Sequence, residues 1–100
     1  MLARLTMAAA TALTACRPDV RPTRLHGLVV DVQAASFLRV ASFTLRTDDG
    51  EIVDMVVEGD VGFTPSHLRD HMALGDPVTV TVRYADGQTI ATGVEDRQPE

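Results

Sequence analysis

The chain has 100 residues, of which 14 are acidic and nine are arginine, so its net charge is -5. This length suits a single domain. An apolar content of 45% with 23% charged residues is that of a globular chain rather than a disordered one. The single cysteine excludes an intrachain disulfide framework and a multi-cysteine zinc site. The acidic balance disfavours nucleic acid as a partner, because proteins that bind phosphate backbones carry a basic face.

The first fifteen residues have the order of a secretory signal peptide. One positive charge, Arg4, precedes an uncharged run over residues 5–15 that consists mainly of Ala, Leu, Thr and Met. A permanent membrane-spanning helix needs about 20 apolar residues, and this run is roughly half as long. We therefore expect a cleaved signal peptide over residues 1–15 and no transmembrane anchor there.

The signal sequence ends in Leu13-Thr14-Ala15-Cys16, which resembles the lipobox of bacterial lipoproteins. The resemblance implies that Cys16 receives a thioether-linked diacylglycerol and becomes the acylated first residue of the mature chain. Two acyl chains anchor a protein stably, so we expect the mature protein in the cell envelope, on the extracytoplasmic side of a bacterial membrane. The alternative is that Cys16 is an incidental thiol and that residues 1–15 are a weakly helical or disordered start of the chain.

Residues 16–24 are expected to form an extended tether, because they hold two prolines and three arginines without apolar periodicity. The folded region is expected over residues 25–96, followed by a tail over 97–100. Strands are predicted over residues 25–32, 37–47, 51–58, 78–84 and 89–94. The clearest is 78–84, in which Val and Tyr alternate with Thr and Arg. Asp48-Asp49-Gly50 and Ala85-Asp86-Gly87-Gln88 supply the residues that tight turns require.

One short helix is predicted between the third and fourth strands. Thr64 can cap its first turn, and Pro65 suits the first helical position. Gly75 suits the left-handed position that ends a helix. Leu68 and Met72 lie four residues apart and are expected to form its buried stripe.

The predicted order, β-β-β-α-β-β within some seventy residues, resembles the OB-fold, a mainly β, five-stranded barrel. Glycines at 27, 59 and 93 fall in or beside strands, where a small barrel needs bends or bulges. The alternative is an SH3-like small barrel, which usually lacks a full helix at this place.

His67 and His71 are spaced so that both can face one metal ion on the helix. The His-Glu-x-x-His pattern of zinc hydrolases is not present in the sequence, and neither is a Gly-x-Ser-x-Gly elbow. We favour the interpretation that both are surface histidines, which flank the buried stripe of Leu68 and Met72. The alternative is a periplasmic chaperone that binds a metal or small ligand through His67 and His71, with His26 and Asp70 as the first candidates for a third ligand.

The function we expect is a lipid-anchored binding or assembly module, with no catalytic activity and no cofactor. Its partner would be the membrane through Cys16 and, beyond that, another envelope protein or a small ligand. OB-folds bind through the second and third strands and the loops after the first and fourth. The residues that we predict to bind a ligand on that surface are Phe37, Arg39, Thr44, Arg46, Asp86 and Gln88. Phe37 is expected either to anchor a partner or to plug the barrel, and the plug is favoured.

The lipid anchor is tested by the Cys16→Ser variant. The wild-type protein should partition into the detergent phase, because acyl chains prefer an apolar solvent. The variant should be processed differently or released. Phase partitioning with Triton X-114 measures this, and an equal soluble fraction of both forms would contradict the anchor.

Overall fold

The structure is a computed structural model that describes residues 21–97. Its elements are β1 (Arg24–Ala34), β2 (Val40–Thr47), β3 (Ile52–Val57), α1 (Pro65–Leu74), β4 (Val78–Ala85) and β5 (Gln88–Asp96). The mainly β class and the order β-β-β-α-β-β are therefore confirmed. The predicted signal peptide, Cys16 and most of the tether lie outside the described residues. Between residues 21 and 97, no helix combines the length and apolar character needed to span a membrane.

The five strands close into a barrel in the order β1-β2-β3-β5-β4, with β1 also paired to β4. Four of the five pairings are antiparallel, and only β3 and β5 run parallel. The helix connects β3 to β4, so that β4 and β5 can return as a hairpin between β3 and β1. This is the arrangement of an OB-fold-like barrel.

The parallel seam between β3 and β5 is short. Its register pairs are Val56 with Ile90 and Val57 with Ala91. Beyond them, the Glu58 amide donates to the Ala91 carbonyl oxygen at 3.0 Å. The Arg83 guanidinium in β4 reaches over β5 and donates two hydrogen bonds to the Glu58 carboxylate, at 2.6 and 3.2 Å. These hydrogen bonds, together with the charge of Arg83, lower the pKa of Glu58 below its ordinary value.

The core is built from alternate residues of the strands, as the sequence pattern predicts. Leu45, Val78 and Val80 are fully buried, and Phe43 and Met55 are almost so. Such alternation is typical of strands with one face toward a core and one toward solvent. Thr79 in β4 departs from this alternation, because it is a polar residue and only 4% exposed. Its hydroxyl lies 2.8 Å from Nδ1 of His26 in β1, which gives the buried group a hydrogen-bond partner.

The helix begins and ends where its sequence predicts. The Thr64 hydroxyl accepts a hydrogen bond from the His67 amide at 3.1 Å, and Gly75 ends the helix in the left-handed region, at φ 70°. The buried stripe was wrong in one residue, since Leu68 is fully buried but Met72 is 36% exposed. The residues that the helix buries, Pro65 and Leu68, are both in its first half, and residues 72–74 after His71 are exposed.

The second strand begins at Val40, three residues later than predicted. The hairpin tip, which we define as residues 35–39, forms a compact loop instead. The Ala35 amide donates to the Arg39 carbonyl oxygen at 2.9 Å, and the Ser36 hydroxyl accepts from the amides of Leu38 and Arg39. Phe37 is 96% exposed on this tip, so its interpretation as a barrel plug was wrong.

The end of the predicted tether contacts the barrel. Arg24 is the first residue of β1. Just before it, the Thr23 carbonyl oxygen accepts from the Val82 amide at 2.9 Å, and the Pro22 carbonyl oxygen accepts from the Tyr84 hydroxyl at 2.6 Å. Three residues before β1 are thereby fixed against β4, since Arg21 also stacks over the Tyr84 ring.

Gly27 in β1 occupies the closest approach of two strands. A Cβ at this position would lie 2.8 Å from the carbonyl carbon of Arg46 and 2.8 Å from Cα of Thr47. Both are backbone atoms of the β2 region, and they cannot move aside without disturbing the β1–β2 pairing. The same addition at Gly93 in β5 meets Thr81 only at 3.9 Å, which is ordinary van der Waals contact.

These two glycines form a matched pair of tests. Gly27→Ala should lower the free energy of unfolding by about 1–3 kcal/mol, because the added methyl group overpacks the strand contact. Gly93→Ala should change it by no more than about 0.5 kcal/mol. Urea denaturation followed by circular dichroism measures both. Equal stability of the two variants would contradict the close β1–β2 approach at Gly27.

Candidate functional site

A groove of about 500 Å³ runs over the outer face of the barrel, across β1, β2 and β3. We call it the outer groove. Its lining residues are Asp31, Ser42, Phe43, Thr44, Asp54, Met55, Val56, Gly87, Gln88 and Thr89. The last three come from the β4–β5 turn and the start of β5. The groove therefore lies where β3 and β5 separate beyond their short seam.

The polar groups of the outer groove form a row across three strands. Asp31 in β1 pairs in register with Thr44 in β2, which pairs with Asp54 in β3. The Thr44 hydroxyl donates to the Asp54 carboxylate at 2.6 Å, and the Gln33 side-chain amide donates to Asp31 at 3.1 Å. Among residues 21–97, two carboxylates and no cationic side chain line the groove. It is thus suited to a ligand that brings positive charge or hydrogen-bond donors.

The β4–β5 turn forms one wall of the groove. Asp86 and Gly87 both have positive φ, 53° and 76°, which is the conformation of the type I′ turn that joins twisted strands. The Asp-Gly sequence predicts this turn. Gln88 and Thr89 follow directly and are paired to β4 through Ala85 and Tyr84.

The structure brings together two of the six predicted binding residues, since Thr44 and Gln88 both line the outer groove. Phe37 and Arg39 lie on the hairpin tip, and Arg46 is exposed further along β2, opposite Ile52. Asp86 is in the turn, but it lines a separate depression beside Tyr84. The six residues thus follow one hairpin and one turn, but they do not form a single pocket.

The two groove carboxylates were not among the predicted residues. Asp54 alternates with the inward Val53 and Met55, so the strand pattern places it on the outer face and could have identified it. Asp31 follows an irregularity in the β1–β2 register between Val29 and Asp31. A bulge changes which residues of a strand face outward, and no pattern in the sequence predicts a bulge at this position.

A second group of polar side chains lies at the opposite end of β5. The ligand atoms of His67, His71 and Asp96 all lie within 4.8 Å of one another. We call this group the His–Asp cluster. The residues suggested by the sequence as a third partner for the histidines, His26 and Asp70, do not belong to it. Asp96 is 25 positions beyond His71 in the chain, and the β4–β5 hairpin brings it there, because Asp96 pairs with Val78 at the start of β4.

Comparison with known proteins gives no family: no family model, no curated protein and no solved structure matches this chain. The assignment of the fold therefore rests on the strand order, the parallel seam and the position of the helix.

Proposed function

We propose that this protein is a lipid-anchored, extracytoplasmic binding or assembly module, without catalytic activity, that holds a protein partner on its outer groove. The observation that carries the proposal is the position of the groove. It is formed by β2, β3 and the β4–β5 turn, which is the surface that OB-folds use for their ligands.

The lining of the outer groove favours a polypeptide segment as the ligand. Asp31 and Asp54 offer carboxylate oxygens to Arg, Lys or backbone amides of a partner. Beside them, Ile52 and Val56 are 58% and 37% exposed on the outward face of β3. A segment with alternating basic and apolar side chains would meet both kinds of group.

The hairpin tip adds an apolar contact point to this surface. Phe37 and Leu38 are 96% and 72% exposed, and they cap the same β1–β2 hairpin that supplies Asp31 and Thr44 to the groove. Large apolar side chains exposed side by side mark interaction sites, and aromatic residues are enriched among those that dominate binding energy. We therefore propose Phe37 as the anchor for the partner.

The proposed anchor limits where the partner can be. Four residues separate Cys16 from Arg21, the first described residue that contacts the barrel, and a fully extended chain from Cys16 to Arg21 spans at most about 18 Å. A diacylated Cys16 would hold the barrel within this distance of the lipid surface. The partner is then a protein of the same membrane or one that lies against it.

Photo-crosslinking in a bacterium that encodes the protein tests this surface. A benzoylphenylalanine residue placed at Phe37 or at Gln88 should give an adduct with the same partner, because the two positions flank the proposed contact surface. A probe at Asp70, which is exposed on the helix, should not give it. Adducts of the envelope fraction, separated by electrophoresis, are the measurement.

Charge reversal supplies the matched control. Asp54→Lys should reduce the adduct from Phe37 at least fivefold, on the order expected for about 1 kcal/mol of lost binding, whereas Asp70→Lys should not. Both carboxylates are exposed, so the two variants change the net charge equally. An adduct unaffected by Asp54→Lys, or one reduced equally by Asp70→Lys, would contradict binding at the groove.

A further inference from the structure

The His–Asp cluster has the donor set of a metal site, and its geometry is independent of the outer groove. His67 and His71 lie one helical turn apart on α1, and Asp96 is the last residue of β5. Within residues 21–97 it is the one group of three or more His, Cys, Asp or Glu side chains close enough to share an ion. Two imidazoles and one carboxylate are the kinds of ligand that zinc accepts.

The orientation of His71 is fixed by the backbone that follows its helix. Its Nδ1 lies 3.1 Å from the carbonyl oxygen of Asp76. A carbonyl oxygen only accepts hydrogen bonds, so Nδ1 must carry the proton of the ring. The Asp76 amide in turn donates to the His71 carbonyl oxygen at 3.0 Å. Metal-binding histidines are commonly oriented in this way, by a carbonyl that takes the proton of the second ring nitrogen.

The other nitrogen of His71 then faces a second acceptor. Nε2 lies 2.9 Å from Oδ1 of Asp96. In the neutral ring this nitrogen bears a lone pair, and two lone pairs repel each other at that distance unless a proton or a metal ion lies between them. The side chain of His71 is only 12% exposed, so water compensates for little of the repulsion.

A third donor distinguishes the two possibilities. A proton would need only His71 and Asp96, but His67 is also held beside them. Its ring stacks on Phe63 with 4.0 Å between centroids and an interplanar angle of 4°, and its centroid lies 5.1 Å from that of His71. Ligand atoms around a tetrahedral zinc ion are about 3.3 Å apart, since each bond is about 2.0–2.1 Å. The ligand atoms here lie up to 4.8 Å apart, so a bound ion would have to draw the exposed His67 and Asp96 side chains closer together.

We propose that His67, His71 and Asp96 form a binding site for one divalent cation of the zinc type, with its fourth position open to solvent. His71 is the preoriented ligand, through the Asp76 carbonyl, and Phe63 positions His67. Asp96 contributes the negative charge that two neutral imidazoles lack. Because Asp96 comes from β5 and the histidines from α1, the ion also ties the helix to the barrel.

Isothermal titration calorimetry with ZnCl₂ tests the site. The full chain is used without an affinity tag and with Cys16→Ser, which removes the one competing thiol, at about pH 7.5, where free imidazoles are mostly neutral. One ion should bind per chain with a Kd of about 10 µM or below. Asp96→Asn should weaken binding at least tenfold, since mutation even of groups that only orient metal ligands typically costs about 10–100-fold.

Asp70→Asn is the matched control, because it makes the same change to an exposed carboxylate next to His71. It should leave the Kd within about twofold, a difference of roughly 0.4 kcal/mol. Circular dichroism of the metal-free proteins verifies that each variant is folded, and shifts of the His67 and His71 imidazole NMR signals on zinc addition locate the ion. A Kd weaker than 10 µM, no effect of Asp96→Asn or an equal effect of Asp70→Asn would overturn the proposal and leave His71 and Asp96 as an ion pair only.

Discussion

The placement of β5 is the constraint on which the rest of this structure depends. β5 lies between β4, to which it is antiparallel, and β3, to which it is parallel, and by joining them it closes the barrel. Its first residues, Gln88 and Thr89, form a wall of the outer groove. Its last residue, Asp96, completes the His–Asp cluster. Each candidate site therefore requires that the same strand be held in one register, although the two sites lie at its opposite ends.

Apolar burial supplies the force that closes the barrel, and polar contacts set its register. Ala91 and Val94 of β5 pack into the core with Val80 of β4, and burial of such side chains dominates the stability of small domains. The exposed Glu58–Arg83 pair is screened by solvent and adds little by itself. The hydrogen bonds from the Glu58 amide to the Ala91 carbonyl oxygen, at 3.0 Å, and from the Val94 amide to the Val61 carbonyl oxygen, at 2.9 Å, specify which residues of β5 face β3 and the loop before the helix.

Local patterns predicted the elements well, because alternation and capping depend on neighbours in the chain. The β4 pattern, the Asp86-Gly87 turn and the Thr64 and Gly75 caps are all where the sequence places them. The failures involve contacts between distant segments. Phe37 lies outside the barrel because Ser36 closes a loop that no periodicity shows, and Met72 is 36% exposed because the buried residues of the helix, Pro65 and Leu68, lie in its first half. Asp96 joins the histidines through the pairing of β4 with β5, in which it lies opposite Val78, and a register shift between Thr81 and Val82 precedes that pair.

The central claim is that β5 closes the barrel beside β3 in parallel register, and amide hydrogen exchange by NMR tests it most directly. The Glu58 amide, which donates across the seam to Ala91, should exchange far more slowly than an unprotected amide, as buried hydrogen-bonded amides in a core sheet do. The Val94 amide should be protected in the same way through Val61. Exchange of both at the rate of an unfolded chain, with β4 and β5 still protected against each other, would mean an open sheet and would contradict the closed barrel and the outer groove.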